Sequence, residues 1–151
     1  MTGSHSRSAL VLVALALVAA IALVPVRAGA AATIPTGAGS AYAGYTYGLG
    51  LKPTTFEGVL EYYAPRPGSS DWHPLPGKLM TFWVGGKLVC SATTVLKIAE
   101  IGSEGYAEAT CSAKLGVQAA LKYHSFVVKF AGDDQYLPSS VTQALRWNPT
   151  F

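Results

Sequence analysis

The chain has 151 residues, and 20 of its first 30 are hydrophobic, so one block inflates the 50% hydrophobic content of the whole. The remaining 121 residues are about 46% hydrophobic, as expected of one soluble globular domain, and carry nine basic against eight acidic residues. Their lysines (Lys52, Lys78, Lys87, Lys97, Lys114, Lys122 and Lys129) are scattered singly along the chain. A polyphosphate partner needs runs of cations to displace its counterions, and a nucleic-acid partner is therefore not expected.

Residues 1–30 read as a secretory signal peptide. Arg7 supplies a basic start, residues 9–24 are an uninterrupted apolar run, Pro25 breaks it, and Ala28-Gly29-Ala30 offers the small residues a signal peptidase requires. The rival reading is a membrane anchor. Sixteen apolar residues fall short of the roughly 20 that cross a bilayer as a helix, so the mature protein is not expected to span a membrane.

Export decides how the two cysteines are read. Outside the cell thiols oxidise, and Cys90 and Cys111 allow a single connectivity. Closing that loop would add roughly 3 kcal/mol of stability in the chain-entropy model. Metal binding by two cysteines without a nearby histidine is the weaker alternative.

Residues 31–50 hold no charged residue and no helical period, and they predict a flexible Gly/Ala/Tyr-rich arm. By pattern its second half includes a candidate first strand, since Tyr45, Tyr47, Leu49 and Leu51 alternate with other residues. The folded domain is expected over residues 51–151. Residues 56–63 carry aromatic and β-branched side chains and stop at Pro65-Arg66-Pro67-Gly68. Leu79–Val84 is a second run, and Gly85-Gly86 supplies the positive φ of a tight hairpin turn, so residues 87–94 should return antiparallel.

Ala107, Ala109, Cys111 and Ala113 alternate with Glu108, Thr110 and Ser112, which predicts a strand with small residues inward and Glu108 outward. Phe126, Val128 and Phe130 share one face of a strand over residues 125–131, and residues 139–147 form the last. Residues 95–101 and 113–123 could be loop or helix of one or two turns, being too short for helices that stand alone. Short strands with turn signals about every ten residues predict an all-β antiparallel β-sandwich of about seven strands.

The segment Phe126-Val-Val-Lys-Phe-Ala-Gly-Asp-Asp-Gln-Tyr-Leu-Pro-Ser-Ser140 resembles the closing strand pair of bacterial immunoglobulin-like repeat domains. Pro76-Gly77-Lys78-Leu79-Met80-Thr81-Phe82 is similar to that family's Pro-x-Gly-Lys-x-Val-x-Phe strand, and Cys90 and Ala109-Thr110-Cys111 are similar to its cysteine-bearing variants. The likeness covers residues 56–147 and implies an immunoglobulin-like fold with a structural or adhesive role at the cell surface. In the family a brief hairpin joins the two cysteine strands; here residues 95–105 are inserted. In such a sandwich Phe82, Phe126, Phe130, Tyr136 and Trp147 would supply the large buried side chains.

Signs of catalysis are few: no nucleophile elbow, zinc helix or phosphate loop occurs, and neither an enzyme activity nor a cofactor is expected. His73 and His124 read as surface or packing residues. Gly132-Asp133-Asp134, ahead of Tyr136, reads as a turn in which an aspartate accepts backbone amides, with a calcium site as the alternative.

Contact residues are sought on two loops. Trp72 and His73 lie in a Pro-rich loop that a rigid sandwich would present, and Tyr62, Tyr63 and Trp83 raise the same question, although Trp83 adjoins a core strand and is expected to be buried. Leu96, Ile98 and Ile101 lie in the insertion, and must either fold back on the sandwich, the preferred reading, or display an apolar patch to a partner. The expectation is a secreted, non-catalytic module that binds an extracellular protein or carbohydrate; a secreted inhibitor of an extracellular enzyme is the alternative.

Overall fold

A computed structural model describes residues 31–39, 44–47, 50–65, 67–68, 71–98 and 105–148, with the side chains of Tyr45, Tyr47, Trp147 and Asn148 left out. The expected signal peptide, residues 1–30, lies outside the described residues, as does Ile101. The described elements are β1 (Thr36–Gly39), β2 (Gly44–Tyr47), β3 (Thr54–Tyr63), β4 (Trp72–Pro74), β5 (Leu79–Val84), β6 (Lys87–Thr93), β7 (Val95–Lys97), β8 (Tyr106–Ala113), α1 (Val117–Lys122), β9 (Ser125–Phe130) and β10 (Ser139–Asn148).

The strands form two sheets. The first has the order β1-β3-β8-β7, with β4 also paired to β3, and the second has the order β2-β10-β9-β5-β6. Pairing is antiparallel throughout except between β2 and β10, which run parallel. This is the strand order of an immunoglobulin-like β-sandwich.

Ten strands replace the expected seven, for three local reasons. The arm is stitched into both sheets: β1 pairs with β3 and β2 with β10, so residues 36–39 are a strand rather than part of a loose arm. Residues 72–74 pair with the end of β3 instead of forming a loop. Residues 95–97 are the strand β7, where a loop or short helix was expected; Val95 is β-branched, and the neighbouring β8 offers a free row of backbone groups that a single helical turn could not satisfy.

Period-two burial in the sequence becomes the core. Phe56 and Leu60 on β3, Met80 and Phe82 on β5, and Phe126 and Val128 on β9 are all essentially fully buried. Phe56 sits between the sheets with its ring edge-on to Phe126 at 5.2 Å and tilted against Phe82 at 6.2 Å. Burying each such side chain contributes about 1.5–3 kcal/mol. Tyr136 packs against this cluster half-buried, whereas Trp83 faces outward from the second sheet, correcting the expectation of burial. Its indole Nε1 donates to Thr81 Oγ1 at 2.9 Å, and Lys129 Nζ lies 4.9 Å from its ring.

Cys90 and Cys111 form a disulfide with Cα atoms 6.2 Å apart. It joins β6 of one sheet to β8 of the other. Cys90 is paired with Phe82 and Cys111 with Phe56, so the covalent link stands beside the Phe56–Phe82 contact. The register of β6 shifts by one residue between Phe82 and Trp83, leaving Val89 as the extra residue of a bulge.

Two features fix the ends. Gly85 and Gly86 turn the β5–β6 hairpin with φ of 57° and 79°, and the Tyr123 ring lies directly over Gly85, where a Cβ would stand. The chain crosses from β6 to β7 at Thr94, whose buried hydroxyl donates to the Leu75 carbonyl at 2.8 Å and accepts the Lys78 amide at 3.0 Å.

Candidate functional site

The insertion between the cysteines builds an apolar rim. After Thr94 the chain joins β8 through Val95↔Glu108, Leu96↔Ala107 and Lys97↔Tyr106, and β7 ends the first sheet. Its side chains do not fold back. Val95, Leu96 and Ile98 are 61%, 46% and 67% exposed. Alternation along an edge strand that nothing described covers leaves their apolar surface in water, which is costly unless something docks there. Ile101, the third apolar residue expected here, falls outside the described residues.

Beneath this rim lies a polar pair that the sequence reading missed. Glu108 points outward as its place in the alternation demands, yet it is 8% exposed. Lys97 Nζ donates to its Oε1 at 2.7 Å, and the Thr110 hydroxyl donates to the same oxygen at 2.6 Å. Burial alone would raise the Glu108 pKa; the Lys97 and Thr110 hydrogen bonds and the Lys97 charge together outweigh it and hold the carboxyl below its ordinary range. The sequence signal was the opposite charge of Lys97 and Glu108, which reads as a pair once β7 is known to be a strand beside β8.

The second contact candidate splits in two. Trp72 lies on the outer face of the first sheet, 41% exposed, with its ring spread over Gly37 of β1, so close that a Cβ there would stand 3.2 Å from Cζ3. Tyr63 meets it edge-on at 5.4 Å, and the Tyr63 hydroxyl donates to Asp71 Oδ2 at 3.4 Å. His73 alternates to the opposite face and is buried. Its Nε2 lies 3.0 Å from the Ala64 carbonyl, and its ring packs on Tyr62. His73 is thus a packing residue of β4, not a presented loop residue, because pairing with β3 sends neighbouring side chains to opposite faces.

The Gly132-Asp133-Asp134 segment turns as expected, and Gly132 has a φ of 83°. Asp133 Oδ1 accepts the amides of Gln135 at 2.9 Å and Tyr136 at 3.0 Å, while its Oδ2 accepts Lys78 Nζ at 2.6 Å. The Lys78 bond and then those amides hold the Asp133 carboxyl down at about 2. Among the described residues no group of three or more His, Cys, Asp or Glu side chains could hold a metal ion.

Among the described residues no helix is long and apolar enough to cross a membrane. Comparison of the chain with family models, curated proteins and solved structures finds no match in any of the three.

Proposed function

We propose that this protein is a non-catalytic, immunoglobulin-like binding module of the cell exterior, and that it takes a protein partner along β7. The observation that carries this reading is the exposed run of Val95, Leu96 and Ile98 on a sheet edge. An extended segment of a partner can add to such an edge through main-chain hydrogen bonds, with its apolar side chains on the rim. The Cys90–Cys111 disulfide is compatible with an oxidising compartment, and the signal-peptide pattern and the resemblance to bacterial immunoglobulin-like repeat domains favour the same setting.

A second reading rests on Trp72. A flat indole over Gly37 beside Tyr63 and Asp71 has the make-up of a sugar-stacking platform, and makes a cell-surface carbohydrate the alternative ligand. An inhibitor of an extracellular enzyme would use the β7 rim as bait.

Affinity capture from culture supernatant and cell-wall extract separates these readings, comparing the disulfide-intact protein with Leu96→Glu/Ile98→Glu and Trp72→Ala variants. A protein retained by the parent and by Trp72→Ala, but lost with the rim variant, is the expected result. Equal retention by the rim variant sinks the β7 reading, and loss of a glycan with Trp72→Ala selects the second.

A further inference from the structure

At the end of the sandwich farthest from the Asp133 turn, the β5–β6 hairpin, the end of β8 and α1 enclose an open cleft of about 530 Å³. That volume falls in the range of small-molecule sites. Its floor and walls include Val89, Leu115 and Val117, and its rim carries Lys87, Lys114 and Lys122. No carboxylate lines it, and none of the three lysines forms an ion pair among the described residues, whose lysine pairs are Lys78–Asp133 and Lys97–Glu108.

The surrounding charge reinforces the rim. Lys52 precedes β3 beside Gly50, which packs on Gly116 and Ala120 of the α1 region, and Arg146 lies near the end of β10, next to Leu145, whose amide donates to the His124 carbonyl. Five cations therefore gather at this end. Asp71, Asp133 and Asp134 stand at the other, where Lys78 pairs with Asp133, and Glu57, Glu61 and Glu108 lie along β3 and β8. The sequence hides this asymmetry because the five cations come from four separate passages of the chain through that end, Lys114 and Lys122 sharing one. An apolar cleft with a one-sided cationic rim attracts a ligand that is itself two-sided.

We propose that this cleft binds a small amphiphilic anion, its single negative headgroup held by Lys87, Lys114 and Lys122 and its apolar tail laid along Val89, Leu115 and Val117. The lysine stems extend the apolar wall, and Lys122 Nζ lies 5.4 Å from the ring of Tyr123, which also lines the cleft. This site is remote from β7 and independent of the protein-binding reading.

The test is titration of the disulfide-intact protein with decyl phosphate below its micellar concentration, by calorimetry and by amide chemical shifts, against decyl maltoside and inorganic phosphate. Saturable one-to-one binding of decyl phosphate is expected, with shifts confined to the cleft and both comparison ligands at least about tenfold weaker. Lys87→Gln/Lys114→Gln/Lys122→Gln should weaken decyl phosphate about tenfold, three exposed pairs contributing modestly each. Val117→Ser should weaken decyl phosphate and leave inorganic phosphate unchanged. Absence of saturation, equal affinity for decyl maltoside, or undiminished binding by the triple variant overturns the proposal. The three-ligand comparison on the parent protein decides even if a variant misfolds.

Discussion

Lys97 Nζ lies 2.7 Å from Glu108 Oε1, joining the edge strand β7 to β8 on the outer face of the first sheet. The pair is lopsided: Glu108 is buried while Lys97 is half exposed. Removing the lysine strands a carboxylate that only Thr110 still serves. Lys97→Met should therefore destabilise the protein, and more than Glu108→Gln, which keeps an acceptor for Thr110 without the charge. Urea unfolding of both variants checks the order. The Glu108 pKa is lowered by folding, so its contribution is present above the unfolded carboxylate range and fades as pH falls through the folded value. The hydrogen bond to Glu108 raises the Lys97 pKa, so that contribution is complete below 10.5 and fades at higher pH.

Asp133 provides a sharper pH signature. Its folded carboxyl titrates at about 2 against an ordinary value of 3.8. A depressed carboxylate stabilises above the unfolded value and loses that contribution as pH drops through the folded one. The stability gap between the parent and Asp133→Asn should be flat above pH 4 and narrow between pH 4 and 2. Unfolding midpoints measured across that window test it, and a gap unchanged down to pH 2 would contradict the assigned turn geometry.

The disulfide makes a prediction about the unfolded chain. Replacing both Cys90 and Cys111 with alanine should cost about 3 kcal/mol, since the link closes a sequence separation of 21. The denaturant slope should rise as the unfolded ensemble expands. A loss far below this would mean that the Phe56–Phe82 contact beside the bridge clamps the sheets unaided.

Much of this architecture is legible in the amino-acid sequence. Phe126, Val128 and Phe130 alternate cleanly, and Gly85-Gly86 marks a two-residue turn, so β5, β6 and β9 could be drawn almost to the residue. The strands that escaped are short ones made by their neighbours. β4 and β7 have three residues each and exist because β3 and β8 offer unpaired backbone beside them, a cause that lies outside their own composition.

The contact residues show the same division. The apolar character of Leu96 and Ile98 is plain in the sequence, but whether they fold back depends on the pairing of β7. His73 looked presentable beside Trp72 and became a packing residue once strand alternation sent the two to opposite faces. Glu108 read as an ordinary outward carboxylate, and its burial follows from the Lys97 and Thr110 side chains that pairing brings beside it. The three lysines of the α1 cleft come from the start of β6, the connection after β8 and the end of α1, and Lys87 is far in sequence from the other two.

The parallel alignment of Gly44–Tyr47 with Leu145–Asn148 has a mechanical consequence. A force that draws the chain apart from before β2 and after β10 loads their hydrogen bonds in shear, all together, rather than peeling them one by one. Even after that seam yields, the segment between Cys90 and Cys111 cannot lengthen, and roughly 70 Å of contour stays withheld from extension until the sulfurs are reduced. Tethered between two surfaces, such a molecule would give way abruptly and then stop short.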